Sequence, residues 1–178
     1  MLAVSDSNYN RILVVDAEES GKVVHKIGDR AKDLRDGNFA EARFFRPQGV
    51  LWIGEKIYVA DTENRAVREI DLQSKMVRTL AGNGRQGYWL QSPQDGKATQ
   101  LSSPWDLAHD GGGFIFIAMA GLHQIWAYHI RSGKIARLRA VATKTSSTTS
   151  SEKRSLRSQA GYRYLQTTSL WQTAKCRQ

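Results

Sequence analysis

Cysteine is almost absent from this 178-residue chain, with Cys176 standing alone. One thiol excludes an intramolecular disulfide and a cysteine-based zinc site, and it agrees with a reducing compartment. It also excludes a CxxC pair, so these residues cannot carry dithiol redox chemistry. No apolar run approaches the roughly 20 residues that span a bilayer, and no membrane partner is expected. The first ten residues, MLAVSDSNYN, lack the basic and apolar regions of a secretory leader, so the cytoplasm is the expected compartment. Catalytic signatures are missing as well. There is no GxSxG, and no GxGxxG follows an apolar run. His25, His109, His123 and His129 form neither HxxxH nor HxH. No metal, no cofactor and no enzymatic activity are expected.

The chain does contain a repeat. Residues 57–82 read IYVADTENRAVREIDLQSKMVRTLAG. Three apolar runs of four to six residues are separated by polar turns, which is the pattern of an antiparallel meander. The pattern recurs at residues 2–28 and 115–140, and the repeat starts, Leu2, Ile57 and Ile115, are spaced by 55 and 58 residues. The intervening segments repeat too. Asp36-Gly37 leads through Phe44 to Pro47, and Asp95-Gly96 leads through Leu101 to Pro104. Each proline opens a new apolar run, a place proline tolerates because it lacks a ladder donor. Four short strands per repeat make the unit of a β-propeller blade. The expected fold is all-β: a partial propeller of about three four-stranded blades over residues 1–140, the first lacking its leading strand.

Asp36-Gly37, Phe44, Pro47, Gly49, IYVADTEN and TLAGNG, in that order, resemble the NHL repeat, a blade of six-bladed propellers. The resemblance covers residues 2–140. It implies an interaction module. Some members of the family join a thioredoxin-like domain to the propeller, so one alternative reading is the propeller part of a redox protein whose catalytic domain is absent here. Other NHL propellers bind single-stranded RNA on a basic face, and others bind proteins.

Residues 141–178 break the pattern. They contain 14 Ser or Thr, seven basic residues and one acid, Glu152. Such a stretch buries too little apolar surface to offset its ordering entropy, so a disordered basic tail is expected. The net charge of +9 therefore lies mostly in this tail and says little about the repeats.

Asp6 and Asp61 close the same run in their repeats, and their carboxylates are expected to accept backbone N–H bonds across the following turn. The turn pairs Asn10-Arg11, Asn64-Arg65 and His123-Gln124 fall at matching places. In a propeller these turns gather on one face, making them, with Arg85, the candidate binding residues. Arg11, Arg65, Arg68 and Arg85 are the candidate phosphate contacts, and Tyr9, Trp89, Trp105 and Trp126 the candidate stacking rings. The opposing expectation is that the arginines are solvated and that Trp105 and Trp126 pack between blades. Three blades cannot close a ring, and blade faces need neighbours. The chain is thus expected to be a fragment or truncated isoform, to be completed by further propeller blades or a protein partner, or to self-associate.

Overall fold

A computed structural model describes residues 1–18, 21–88 and 94–138. The expected 141–178 tail lies outside the described residues. Blade 1 is a meander of β1 (Leu2–Asp6), β2 (Arg11–Asp16) and β3 (Lys22–Ile27). Blade 2 holds β5 (Pro47–Ile53), β6 (Lys56–Asp61), β7 (Ala66–Asp71) and β8 (Met76–Ala81). Blade 3 holds β10 (Pro104–His109), β11 (Phe114–Met119), β12 (Gln124–His129) and β13 (Lys134–Arg137). All pairings within the blades are antiparallel.

Blades 2 and 3 each carry a fifth strand that the periodicity does not announce. The links that precede them donate two-residue strands, β4 (Gly37–Asn38) and β9 (Gln94–Asp95), to the outer edges of β8 and β13. The Asp36-Gly37 and Asp95-Gly96 dipeptides therefore serve as edge pairing as well as turns. Covering an edge strand removes unpaired backbone groups.

The register aligns the blades residue by residue. Pairing of Asp6 with Arg11, Asp61 with Ala66 and Met119 with Gln124 closes the same turn three times. On this frame Leu2, Ile57 and Ile115 are equivalent, as are Val4, Val59 and Ile117. Alternation sends these to one side of each blade and the intervening residues to the other. Ile57, Val59, Ile70 and Val77 of blade 2 meet Ile12, Val14 and Ile27 of blade 1 in one apolar cluster that also includes Phe44. Tyr58, Ala60, Val67 and Leu80 on the other side meet Ile115, Ile117, Trp126 and Ile135 of blade 3 in a second cluster with Leu101. Phe44 and Leu101, the matched link residues, are both fully buried.

One hydrogen bond recurs between blades. The Ser7 hydroxyl of blade 1 donates to the Pro47 carbonyl of blade 2, and the Thr62 hydroxyl of blade 2 donates to the Pro104 carbonyl of blade 3 at 2.6 Å. The equivalent residue of blade 3 is Ala120, which has no donor.

Candidate interaction surface

The register also fixes which loops share an end of the blades. Pro47 pairs with Asp61, Asp61 with Ala66, and Ala81 with Val67. The start of the leading strand, the middle turn and the end of the last strand are thus at one end. The turns at residues 7–10, 62–65 and 120–123 lie there, together with the adjoining ends of the links.

Each middle turn ends on a left-handed residue: Asn10 (φ 52°), Arg65 (φ 51°) and His123 (φ 52°). This corrects the sequence matching by one position. Arg65, not Asn64, is the equivalent of Asn10, and Asn64 is the equivalent of Tyr9. Asn10 and Asn64 are also not surface groups, for both are buried. The Asn10 amide donates to the Arg30 carbonyl at 3.2 Å and accepts the Arg46 N–H at 3.0 Å. That of Asn64 donates to the Asp33 carbonyl at 2.6 Å and to Asp61 at 2.8 Å. Both asparagines tether the links to the turns. The Gln124 carbonyl oxygen accepts the Trp126 indole N–H at 2.9 Å, which holds that ring in the core.

The arginines divide. Arg68 cannot contact phosphate, because it is fully buried. Arg11 pairs with Asp6 at 2.7 Å. Arg65 donates to the Gly84 carbonyl at 3.4 Å. Arg85 and His123 are exposed. Of the candidate rings, Trp126 is buried, Trp105 is exposed, and Trp89 lies outside the described residues.

Asp6 and Asp61 differ from the expected turn acceptors. Asp6 caps nothing with its side chain and instead holds Arg11. Asp61 accepts the Phe45 N–H at 2.8 Å, from the link rather than its own turn. Its other oxygen takes Asn64 and Arg68, the latter at 2.9 Å. Arg68 also reaches Asp36 and the Arg35 and Arg43 carbonyls, each at 2.8 Å. Burial pushes the Asp61 carboxyl up to about 6, against the pull of Arg68. A buried ion pair of this kind is costly to break from one side. It fastens residues 35–45 onto blade 2.

The exposed chemistry at this end comes from residues the motif search passed over. The guanidiniums of Arg11 and Arg30 lie over the Tyr9 ring at 5.1 and 4.7 Å. The Lys32 ammonium lies 5.3 Å from the Phe45 ring centre. Arg46, beside Phe45, is exposed. The Asn10 tether brings Arg30 and Arg46 to the turn that carries Tyr9. Only spatial proximity gathers these cations, so no spacing in the sequence reveals them. Arg43, by contrast, is paired with Asp29 at 2.7 Å.

At the opposite end, an open cleft of about 210 Å³ is lined by Lys56, Glu69, Asp71, Ser74, Met76 and Arg78. Glu69 is held there by Lys56 at 3.0 Å and Arg78 at 2.8 Å. Among the described residues, no group of three His, Cys, Asp or Glu is placed to hold a metal. No helix among them is long and apolar enough to cross a membrane.

No family model matches the chain. It is 41% identical over 141 residues to NHL repeat-containing protein 2 of Homo sapiens, and 40% identical over the same length to that of Gallus gallus. Each match covers 75% of this chain and 19% of the relative. It is 46% identical over 136 residues to the protein SUPPRESSOR OF QUENCHING 1, chloroplastic, of Arabidopsis thaliana, covering 74% of this chain and 13% of that one. The chain therefore spans about a fifth or less of the curated relatives it matches. Among solved structures, a Bacteroides thetaiotaomicron protein of unknown function is similar at a TM-score of 0.57 and 25% identity, over 76% of this chain and 32% of that one. An auxiliary nutrient binding protein of Bacteroides ovatus is similar at a TM-score of 0.54 and 22% identity, over 75% of this chain and 34% of that one. The second likeness bears on the fold alone.

Proposed function

Because the chain belongs to the NHL-repeat family, we propose that it is a non-catalytic interaction module of the cytoplasm, whose turn-and-link end receives a protein partner bearing an acidic surface. The observation that carries this reading is the cluster of Arg11, Arg30, Lys32 and Arg46 around Tyr9 and Phe45. Guanidiniums braced on an aromatic ring lose less freedom on binding a carboxylate than free side chains do. Interface cores favour arginine and tyrosine for the same reason. The fragment reading goes with this proposal, and the small share of each relative that the chain spans supports it. Any thiol chemistry of a longer relative would then reside outside these residues.

A single-stranded RNA partner is the weaker reading. It needs a row of open rings for successive bases. Tyr9 is already covered by two guanidiniums, Trp126 is buried, and Trp105 stands alone. Affinity capture with the full chain tests the choice. We compare the wild type with Arg30→Glu combined with Arg46→Glu, and with Lys75→Glu combined with Arg131→Glu at the opposite end. Proteins retained by the wild type and the second variant but lost from the first, insensitively to nuclease, support the proposal. Retention by all three contradicts it. Ultraviolet crosslinking to RNA that disappears when Arg11, Arg65 and Arg85 are replaced would favour RNA instead.

A further inference from the structure

The blade interfaces inside the chain show what covers each kind of blade face. The face carrying Ile57 and Val59 in blade 2 rests on blade 1, and the equivalent face of blade 3, carrying Ile115 and Ile117, rests on blade 2. The same face of blade 1 carries Leu2, Val4, Leu13, Val15 and Val23. There Leu2 is 53% and Val4 37% exposed, whereas Ile57 and Val59 are fully buried. The reverse face behaves in the same way at the other end. Tyr58, Ala60 and Val67 of blade 2 are buried under blade 3. Their equivalents in blade 3 are Phe116, Ala118 and Ile125, and Ile125 is 44% exposed. Ala108, Ala127 and Ala136 extend that face across the sheet.

Two apolar faces of complementary kind are thus left open on one chain. Their complementarity is not generic, because the same two kinds of face are already seated on each other twice within the molecule. The recurring hydrogen bond agrees. Ser7 and Thr62 each reach a proline carbonyl on the leading strand of the next blade. Blade 3 has Ala120 at that position, and blade 1 of this chain has no leading strand to offer a carbonyl. Neither donor nor acceptor is left without its partner when blade 3 of one copy meets blade 1 of another. A standard four-stranded blade in that place would instead bring a carbonyl that nothing satisfies.

We propose that the β1–β3 face of one copy seats on the β10–β13 face of a second copy, head to tail. The interface is heterologous, with a different patch from each partner. This proposal does not depend on the basic end of the blades. Open apolar faces of repeat arrays drive association unless they are capped.

Sedimentation velocity on the full 178-residue chain tests it. The probes are Val4→Asp on the first face and Ile125→Asp on the second, both at exposed positions. Wild-type chain is expected to associate as its concentration rises. Each variant alone is expected to remain monomeric, because neither preparation holds both intact faces. Mixing the two variants leaves one good interface and restores a 1:1 dimer that grows no further. Circular dichroism confirms that the variants fold, and serine at the same two positions replaces aspartate if they do not. A monomeric wild type overturns the proposal. So does association abolished by one variant but untouched by the other, which marks a like-to-like interface. A mixture that stays monomeric overturns it equally.

Discussion

Blades 1 and 2 share one strand pattern but not one environment. In blade 2 a neighbour lies on each side, and Ile57, Val59, Val67 and Ile70 are all sealed from solvent. In blade 1 the equivalents of the first two, Leu2 and Val4, lie open. Alternation decides which residues can be buried, and position in the array decides which of them are. Blade 2 has also acquired charged core groups that blade 1 lacks. Arg68 sits where blade 1 has Leu13 and blade 3 has Trp126, and Glu69 sits where they have Val14 and Ala127. An apolar residue serves in the end blades. The central one uses the interior to bind its link.

The largest effect expected from this contrast follows removal of Arg68. Arg68→Ala strands the buried Asp61 carboxylate and frees Asp36 and two carbonyls, with a loss of about 3–5 kcal/mol. Leu13→Ala, at the equivalent place in blade 1, is expected to cost under about 1 kcal/mol because one side of that blade is open. Urea unfolding of the two variants makes the comparison, and equal losses would mean that position in the array does not matter.

Next comes the glycine that follows the last strand. Gly82 holds φ +94°, and a Cβ there would sit 2.1 Å from the Arg65 carbonyl oxygen. Gly28, its equivalent in blade 1, holds φ +112°, with a nearest approach of 3.1 Å. Gly82→Ala is expected to lower stability by about 2–4 kcal/mol and Gly28→Ala by about half as much, because backbone must shift only in the first. Thermal unfolding measures both.

A smaller effect concerns pH. The folded Asp61 carboxyl lies at about 6, above the usual value of about 3.9. The fold therefore holds this proton more tightly than the unfolded chain does. Its contribution is fully present below about pH 4 and is lost as pH rises through about 6. Asp61→Asn is expected to remove this slope, and denaturant midpoints taken from pH 4 to 7 will show whether it does. Asp6, exposed in blade 1, is the matched control, and Asp6→Asn should leave the slope in place.

Much of the fold was legible because strand alternation and turn residues are local signals. Pro47 and Pro104 marked the leading strands, and Phe44 and Leu101 marked the buried link positions. The two-residue strands β4 and β9 were not legible, since two residues carry no period. The candidate surface was less legible than the fold. Asn10, Asn64 and Arg68 read as exposed polar residues, yet distant link segments bury them. Arg30, Lys32 and Arg46 fit no turn pattern and become neighbours only when the Asn10 tether closes. A polar residue's role here depends on contacts some 20 to 36 positions away, which periodicity cannot report.

The most direct measurement places alanine at one equivalent position in all three blades, as Val4→Ala, Val59→Ala and Ile117→Ala, and follows urea unfolding in dilute solution where copies do not meet. Val59→Ala and Ile117→Ala are expected to lose about 2 kcal/mol or more, and Val4→Ala less than about 0.5 kcal/mol. Three equal losses would contradict the account, because they would mean that the open face of blade 1 is already covered within a single chain.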